Sequence, residues 1–568
     1  MQLSKIRIEK FRGIRSAEIE FGSELALVGQ NNSGKSTVLR ALNAFFNFEE
    51  ECAAFESGRH SFQKSSTCII DLEFSMLPND FNLPKINPES DIFRARLKCR
   101  RAPTWQIWTE GQWTAAPQDF HDQISQNIRY VHIPIERTSK ALSWSQDSVL
   151  QAAVLSWVKE YTKNRDRISP KVAEISRIFR DRTFKGLSKH LRGITHLRGS
   201  FEFALDYATQ PDYSLLVRDL VLRVIDGDTT LDISDCGSGT QSMAAIGLYS
   251  YLANAMGGTY ILGIEEPEQN LHPQAQRSLL AALRELPLQI IFTSHSTVMI
   301  DSLDHEEVAL CRRSKSTSRG FEITVKQVAR EFWERKGIDR DKYYNFYRRR
   351  NSEFFFADNV ILCESPIDSE VVRYLISDGG VEFDKSSISM ISLDGVKSLP
   401  YAFHLLNELN ISFFTIVDKD YFLPYQNDDV ASSRDARGFP KYKKSFQRGC
   451  LVNEIIESEE ERSELINLMH SNHSKAMDIL ERFKIFCFKW SMEIDLVGSN
   501  TAKNMLAEDF RLPIAADLTS KILINNGNKM KRLETILPVL RRLSPSNLPN
   551  SYKRIRKSIP YHIKMTHP

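Results

Sequence analysis

Residues 29–37 constrain the fold of this chain more than any other segment, because they read Gly-Gln-Asn-Asn-Ser-Gly-Lys-Ser-Thr. An apolar run at residues 24–28 predicts a buried strand before them, and residues 37–46 predict a helix with one apolar face after them. In such a loop the glycines let backbone N–H groups turn toward phosphate oxygens, the lysine reaches the β- and γ-phosphates, and the serine hydroxyl ligates Mg²⁺. The N-terminus of the helix adds its partial positive charge. The segment therefore predicts a P-loop for a nucleoside triphosphate with Mg²⁺, contacted by Gly29, Asn32, Gly34, Lys35, Ser36 and Thr37.

The composition sets limits on the class of protein. At roughly 150 residues per domain, 568 residues predict three or four structural units. The net charge is only +3, so a nucleic-acid site would have to be local. The eight cysteines form no C-x-x-C pair, which favours buried, reduced thiols. No apolar run approaches the roughly 20 residues that span a bilayer, so we expect a cytoplasmic protein without a membrane partner.

Two acidic residues and a histidine follow predicted strands downstream of the P-loop. Residues 260–268 read Tyr-Ile-Leu-Gly-Ile-Glu-Glu-Pro-Glu, an apolar strand that ends in paired carboxylates. In this Walker B arrangement Glu265 would hold Mg²⁺ and Glu266 would act as the general base on the attacking water. A second apolar strand, residues 288–294, leads into His295. Between the P-loop and these strands, Ser238 and Gly239 open a predicted helix in a Ser-Gly-x-Gln segment.

With the opening Ile-Arg-Ile-Glu-Lys-Phe-Arg-Gly-Ile at residues 6–14, these motifs resemble ABC-type ATPases of the SMC class. The resemblance implies that Ser238 and Gly239 contact the γ-phosphate held by another subunit of a head-to-tail dimer. It also implies that His295 is the switch histidine. Glu265 departs from the aspartate that is usual at its position. The ATPase domain is predicted at residues 1–345, with an inserted helical segment at about 141–210 that is either an arm or a layer packed on the core.

A second α/β unit is expected from about residue 354 to the end. Glu364 follows the buried strand 360–363, and Asp418 and Asp420 follow the strand 411–417. Because parallel strands gather their carboxyl ends at one edge, these carboxylates are predicted to converge, with Asp368 at the start of the next helix. Crowded carboxylates are costly without a cation, and oxygen ligands select Mg²⁺, Mn²⁺ or Ca²⁺. Two later apolar stretches, 483–490 and 492–497, are expected to add strands.

This order of acidic residues resembles a TOPRIM domain. An ABC-type ATPase with a helical insertion, followed by a C-terminal TOPRIM domain with helical additions, resembles the OLD (overcoming lysogenisation defect) nuclease family over the whole chain. The resemblance implies a later acidic metal ligand, for which Glu454 is the candidate, although an ordinary solvated helical turn is the alternative. The family usually has Gly-Pro after the glutamate, whereas this chain has Ser365-Pro366. Either the turn has a negative φ here, or the metal site is altered.

The resulting hypothesis is an ATP-hydrolysing, divalent-metal-dependent DNA endonuclease that acts as a homo-oligomer, a dimer or a tetramer. The resemblance further implies anti-phage defence, alone, with a helicase, or with a reverse transcriptase and its multicopy DNA. The alternative is an SMC-like ATPase or scaffold with a degenerate TOPRIM site. Two basic segments, 341–350 and 553–557, would contact DNA or, as is usual for charge runs, face solvent. The predicted catalytic residues are Glu266, His295, Glu364, Asp418 and Asp420.

Overall fold

The computed structural model describes residues 1–63, 66–78, 81–86, 91–100, 102–135, 142, 149–160, 162–178, 181–182, 222–226, 228–255, 259–286, 288–316, 320–339, 352–383, 385–393 and 395–566. The chain forms two compact units. The first comprises Met1–Ser302 and Cys311–Val325, and the second comprises Leu303–Leu310 and Lys326–Pro568. The predicted domain limits, 1–345 and 354–568, stay a prediction, and the basic run 341–350 lies outside the described residues.

One sheet dominates the described part of the first unit. Its twelve strands follow the order β7-β6-β5-β4-β1-β2-β14-β13-β3-β12-β11-β8. Their bounds are β1 Gln2–Phe11, β2 Ile14–Glu20, β3 Glu24–Val28, β4 Cys68–Ser75, β5 Phe93–Cys99, β6 Pro103–Thr109, β7 Gln112–Ala115, β8 Ile128–Ile133, β11 Thr259–Glu265, β12 Gln289–Ser294, β13 Val308–Ser316 and β14 Gly320–Gln327. A separate ribbon contains β9 Arg223–Asp226 and β10 Thr229–Asp232.

The two sides of this sheet differ in pairing and in burial. Strands β1, β2 and β4 to β7 pair antiparallel, and β4 alternates buried and half-buried residues as expected for a sheet with one packed face. Strands β3, β12, β11 and β8 pair parallel, and every residue of β3 and β12 is buried. This parallel part carries the P-loop and both predicted ATPase carboxylates at its carboxyl edge.

Helices surround the parallel strands, and their bounds are Lys35–Phe46, Phe48–Glu56, Phe120–Asn127, Val149–Glu160, Thr162–Ile178, Ser238–Ala255, Pro273–Arg284 and Thr297–Ile300. Two of them, Val149–Glu160 and Thr162–Ile178, fall in the predicted insertion. The first of these packs against Ser238–Ala255, so this part of the insertion is a layer on the ATPase unit. Most of residues 179–221 lie outside the described part of the chain.

The second unit is built on a parallel sheet of four described strands in the order β16-β15-β17-β18. The strands are β15 Asn359–Cys363, β16 Ile388–Ser392, β17 Ser412–Val417 and β18 Ile485–Cys487. Its helices are Phe332–Lys336, Pro366–Asp378, Leu399–Glu408, Val452–Ile455, Glu459–Ser471, His473–Glu481, Met492–Val497, Asn500–Asp509, Leu518–Ser520, Gly527–Met530, Leu533–Arg542 and Asn550–Thr566. The α/β class and the C-terminal helical additions expected from the sequence are therefore present.

One expected strand is wrong. Residues 492–497 form a helix, Met492–Val497, although most of them are buried. A short apolar run does not distinguish a buried strand from a buried helix, because both bury nearly every side chain. Elsewhere, the eight cysteines are free thiols, and most are buried. Among the described residues, no helix has the length and apolar character that crossing a bilayer requires.

Candidate active sites

The P-loop connects β3 to the helix Lys35–Phe46 through backbone conformations that few residues adopt. Gly29 has a φ of 139°, Gly34 a φ of 100°, and Asn32 a φ of 60°. A Cβ atom on Gly29 would lie 2.1 Å from the carbonyl oxygen of Cys311, and one on Gly34 would lie 2.5 Å from Cδ1 of Ile323. Both glycines are therefore required by conformation and by space.

Backbone carbonyl groups of the loop hold the amine of Lys35. Its Nζ donates hydrogen bonds to the carbonyl oxygens of Gly29 and Gln30, both at 3.1 Å. The residue is only 6% exposed, and burial lowers the pKa of its amine. The Ser33 hydroxyl is buried without a hydrogen-bond partner. Phosphate oxygens are acceptors for both groups, so the loop fits the triphosphate of a nucleotide.

A cavity of about 550 Å³ opens in front of the loop, and we call it the P-loop cavity. Three arginines line it together with Lys35, and they are Arg12, Arg59 and Arg313. Asn32, Ser36 and Thr37 also line it, as predicted from their motif positions, and so do Glu266 and His295. Such a concentration of cations favours a polyanionic ligand.

Glu265 ends β11 and belongs to a network of hydrogen bonds. Its Oε1 lies 3.2 Å from Nε2 of His132, a residue on the neighbouring strand β8. Burial acts to raise the pKa of Glu265, but the hydrogen bond of His132, the charge of Arg40 and the hydroxyl of Ser36 together lower it. Glu265 is thus held ionised beside Ser36, and this pair fits a magnesium ion. The sequence did not point to His132.

Glu266 lies at a strained backbone position that presents its carboxylate to the P-loop cavity. Its φ is 42°, an uncommon value for a residue other than glycine. Its N–H donates to Thr293, to the carbonyl oxygen at 3.1 Å and to Oγ1 at 3.0 Å. Oε1 of Glu266 lies 3.6 Å from Nε2 of His295. Burial and the charge of Lys35 lower the pKa of His295.

A third carboxylate fixes the turn that carries His295. Oε1 of Glu268 accepts hydrogen bonds from the backbone N–H of His295 at 2.6 Å and from the Ser294 hydroxyl at 2.9 Å. Burial raises the pKa of Glu268. This residue therefore positions the histidine and is another one that sequence reasoning did not assign.

Ser238 and Gly239 open the helix Ser238–Ala255, as predicted. A Cβ atom on Gly239 would lie 2.6 Å from the carbonyl oxygen of Asn270, so the helix start packs closely on the segment after β11. Neither residue is among the described residues that line the P-loop cavity. Their contact with a nucleotide on another subunit stays a prediction.

The second site lies at the carboxyl edge of the four-stranded sheet. Glu364 follows β15, Asp418 follows β17, and Asp420 lies in the turn Lys419–Tyr421. One carboxylate oxygen of each residue lies within 4.8 Å of the others, and we call these three residues the acidic cluster. The structure thus brings together the carboxylates that the sequence predicted to converge.

The carboxylates of the acidic cluster are half-buried and repel one another. Burial, followed by the charges of Asp420, Asp368 and Glu493, raises the pKa of Glu364 to about 7. Burial, followed by Glu493, raises the pKa of Asp418 well above its usual range. Oε2 of Glu364 is buried without a hydrogen-bond partner. Orphaned, crowded carboxylate oxygens are the donor set of a hard divalent cation, so these residues fit Mg²⁺ or Mn²⁺.

Ser365 stands where the family usually has glycine, and the turn accommodates it. Its φ is −131°, so the position does not require glycine. Ser365 and Asp368 form a capping box for the helix Pro366–Asp378: the Ser365 N–H donates to Asp368 Oδ2 at 3.0 Å, and the Asp368 N–H donates to Ser365 Oγ at 3.2 Å. Burial raises the pKa of Asp368 to about 6, against the effect of the Ser365 hydrogen bond. Of the two alternatives, the negative φ is the one observed.

Glu454 is not brought to the acidic cluster. It lies on the helix Val452–Ile455, where its Oε2 is 2.8 Å from Nε2 of His404. Its side chain is 49% exposed, which agrees with the alternative of a solvated helical turn. In the structure the Glu454 carboxylate pairs with His404 and is not one of the three that converge, so its role as a metal ligand stays a prediction.

Glu493 is the acidic residue that sequence reasoning missed. It lies on the helix Met492–Val497, beside Met492, whose N–H donates to Asp418 Oδ1 at 3.1 Å. Lys531 lies 3.9 Å from it, measured from Nζ to Oε1, and lowers the pKa of Glu364. Because residues 492–497 were expected to form a strand, nothing in the sequence pattern directed this side chain to the sheet edge.

Two models of known families match the chain. Residues 25–301 match the AAA domain described as a putative AbiEii toxin of a type IV toxin–antitoxin system. Residues 355–420 match the TOPRIM domain of proteins like the overcoming lysogenization defect protein. The chain belongs to the OLD family. It is an OLD-family ATPase with a TOPRIM nuclease domain, as the sequence resemblance implied.

Individual relatives are distant. The Old nuclease of Escherichia phage P2 is 24% identical over 465 residues, which cover 74% of this chain and 78% of the relative. The OLD nuclease of Thermus scotoductus is 22% identical over a match that covers 74% of this chain and 82% of the relative. The endonuclease GajA of Bacillus cereus is 19% identical over a match that covers 74% of this chain and 75% of the relative.

Solved structures add a remote likeness of fold. An SMC head bound to the C-terminal winged-helix domain of ScpA is 16% identical, covers 58% of this chain and 98% of its own, and has a TM-score of 0.38. The SMC head domain of Thermotoga maritima is 14% identical and has a TM-score of 0.31, and the match covers 58% of this chain and 100% of that domain.

Proposed function

We propose that this OLD-family protein is a DNA endonuclease that depends on divalent metal and is controlled by ATP. The observation that carries the proposal is the acidic cluster, in which the half-buried, mutually repelling carboxylates of Glu364, Asp418 and Asp420 converge at the carboxyl edge of the TOPRIM sheet. Nucleases named among the relatives of this chain support DNA as the substrate.

The ATPase half would bind the nucleotide through Lys35 and the P-loop N–H groups, with Ser36 and Glu265 holding Mg²⁺. When bound, the magnesium ion neutralises phosphate charge. Glu266 faces the P-loop cavity from its strained backbone and would orient and deprotonate the attacking water. His295, held by Glu268, would contact the same region. Ser238 and Gly239 would complete the site from a second subunit, which requires a homo-oligomer, a dimer or a tetramer.

The nuclease half would hold one or two divalent ions on Glu364, Asp418 and Asp420, with Asp368 and Glu493 as further carboxylates. When bound, such ions activate water and stabilise the leaving oxygen of a phosphodiester. Glu493, whose charge raises the pKa values of Glu364 and Asp418, would be a second candidate beside Glu454 for the later acidic ligand. Lys531, next to Glu493, supplies a positive charge for a phosphate at this edge.

ATP would control access to DNA rather than drive the bond cleavage, because phosphodiester hydrolysis is already favourable. A role in anti-phage defence is supported by the AbiEii description of the matched AAA domain. An accompanying helicase or reverse transcriptase with multicopy DNA stays a prediction. The alternative, a scaffold with a degenerate TOPRIM site, is weakened because Ser365 fits its turn and the three carboxylates converge.

The test is cleavage of supercoiled and linear DNA by the purified full chain, with Mg²⁺ or Mn²⁺, in the presence and absence of ATP. Asp420→Ala removes one carboxylate of the acidic cluster, and Glu454→Ala is the matched control, because Glu454 lies outside the cluster. We expect cleavage by the wild type and by Glu454→Ala but not by Asp420→Ala. Equal cleavage by all three proteins would contradict the proposal.

A further inference from the structure

The second unit contains a large cavity that is separate from the acidic cluster. Its volume is about 1220 Å³, and we call it the lysine cavity. Lys419 lines it, whereas its neighbours Asp418 and Asp420, which belong to the acidic cluster, are not among the described residues that do. Lys419 is 5% exposed, and its Nζ donates to the carbonyl oxygen of Met469 at 2.6 Å. The Asp-Lys-Asp segment thus contributes to two different sites.

Positive charge dominates the wall of this cavity. Six lysines line it, and they are Lys419, Lys441, Lys443, Lys444, Lys489 and Lys553. Among the described lining residues Asp495 is the one carboxylate, and it already accepts hydrogen bonds from the N–H groups of Lys489 and Trp490 and from the Ser551 hydroxyl. Within the described part of the chain, no carboxylate forms a salt bridge with any of the lysines 441, 443, 444, 489 and 553 of this wall. With six lysines and one carboxylate, the cavity wall therefore carries an excess of positive charge.

Three helices also begin at the cavity wall. They are His473–Glu481, Asn500–Asp509 and Asn550–Thr566, and the first residue of each lines the cavity. The N-terminus of a helix carries partial positive charge and unpaired N–H groups, which favour anions. Nε2 of His473 is buried without a hydrogen-bond partner. The lysines and the helix N-termini are two features that favour the same kind of ligand, one rich in phosphate.

We propose that the lysine cavity binds the phosphate backbone of a single nucleic-acid strand. Sites for small ligands usually measure about 300–1,000 Å³ and are mainly apolar, whereas this cavity is larger and is lined mostly by lysine, serine, asparagine and histidine. Grooves for single strands combine lysines along the backbone with aromatic rings on which bases stack. Trp490 and Tyr442 contribute aromatic rings to this wall, where they already stack on Phe439 and Tyr425.

The basic run 553–557 is partly explained by this site. Lys553 lines the cavity, whereas Arg554 pairs with Asp478 and Glu481, and Arg556 pairs with Asp378. The run is therefore neither a solvated tail nor a continuous contact surface. One of its charges serves the cavity, and the two arginines hold the helix Asn550–Thr566 in place.

The lysine cavity is connected to the acidic cluster by two stacked rings. Tyr442, in the cavity wall, stacks on Tyr425 with ring centroids 5.3 Å apart, and the Tyr425 hydroxyl donates to Asp420 Oδ2 at 2.8 Å. A strand held on Tyr442 is thus one ring away from a carboxylate of the acidic cluster. This connection deepens the proposed nuclease function and rests on it, whereas strand binding itself does not.

The experiment measures binding of a fluorescent single-stranded oligonucleotide, about 12 nucleotides long, by anisotropy of the full chain in EDTA. Divalent ions are left out so that cleavage does not enter the measurement. The test variant is the triple substitution Lys441→Ala, Lys443→Ala and Lys444→Ala, all of exposed residues. The control removes three exposed lysines of the same unit that lie outside the cavity, namely Lys385→Ala, Lys529→Ala and Lys557→Ala.

Each lysine–phosphate contact to a single strand contributes about 0.7 to the slope of log affinity against log salt. We therefore expect the test variant to lose about 2 from the slope and on the order of 100-fold in affinity at 0.1 M salt, while the control keeps both. Equal losses in the two variants would show a general charge effect and overturn the inference. So would wild-type affinity in the test variant, or no binding by the wild type.

A second arm distinguishes a strand from a free nucleotide. It uses Lys35→Ala protein, so that ATP at the P-loop does not contribute, and measures ATP binding by calorimetry. Tight ATP binding that the cavity substitutions abolish, without strand binding, would overturn the inference. Strand binding without DNA cleavage would contradict the nuclease function only, and cleavage without strand binding would contradict this inference only.

Discussion

At the P-loop the buried charged groups have partners, whereas at the acidic cluster the carboxylates face one another. Carbonyl oxygens hold the amine of Lys35, and His132 and Ser36 lower the pKa of Glu265. At the second site, burial and neighbouring carboxylates raise the pKa values of Glu364 and Asp418 instead. A compensated site is assembled before its ligand arrives. An uncompensated one takes up protons or a cation, so occupancy of the second site is coupled to pH and to metal.

Removal of one carboxylate from the acidic cluster should have the largest effect. We expect Asp418→Ala to lose DNA cleavage by on the order of 10³-fold, because metal assistance supplies several kcal/mol. ATP hydrolysis should remain, since Asp418 lies in the second unit. Measurement of both activities on one preparation checks this, with Glu454→Ala as control. Loss of ATP hydrolysis as well would show that the two sites are not separable.

The substitution Lys35→Ala should impair ATP hydrolysis at the P-loop. We expect ATP hydrolysis to fall by about 10²- to 10³-fold, the cost of removing one preorganised group from a charged transition state. The exposed Lys98 provides the control variant Lys98→Ala. Cleavage measured without ATP should be unchanged by Lys35→Ala. ATP turnover at the wild-type rate would remove the P-loop assignment.

The contrast between the two sites also predicts that the stability of the metal-free protein falls as pH rises and that metal counteracts this fall. Because the pKa of Glu364 is raised to about 7 in the folded protein, the metal-free fold binds more protons than the unfolded chain between about pH 4.5 and 7. Its stability should therefore fall by about 3 kcal/mol as pH rises through this window. Urea unfolding at pH 5.5 and 8, with and without Mg²⁺, measures the part of this change above pH 5.5, about 2 kcal/mol. Mg²⁺ should stabilise more at pH 8.

Glu364→Gln provides the control for this titration. The amide has no proton to gain in the window, so the pH dependence of the metal-free protein should shrink. If the variant keeps the full dependence, the proton uptake belongs to other groups, and the contrast between the two sites loses its basis.

The smallest effect concerns the capping box at the second site. Ser365→Ala should destabilise the protein by about 1 kcal/mol, because the Asp368 N–H loses its acceptor, whereas Ser365→Gly should cost only a few tenths. Urea unfolding of the three proteins checks the order. Higher nuclease activity in Ser365→Gly than in the wild type would show that serine impairs the site after all.

Local sequence carried most of the information about the P-loop side. Glycine spacing, Lys35 and the paired carboxylates after an apolar strand all act within short segments, so their pattern is visible without a fold. The same holds for Glu364 and for Asp418 with Asp420, because the end of a parallel strand is a position that sequence can locate. The partners of these residues were not visible. His132 reaches Glu265 only because β8 lies beside β11.

The amino-acid sequence by itself determined which chemistry the chain carries: a P-loop, strand-terminal carboxylates and the OLD-family order of domains. Only the tertiary structure decided which side chains complete the sites. It brought Glu493 close enough to raise the pKa of Asp418, it paired Glu454 with His404, and it gathered lysines from four distant segments around one cavity. The physical reason is that motifs depend on short-range backbone geometry, whereas burial and charge compensation depend on which segments pack together, and a short apolar run does not determine that.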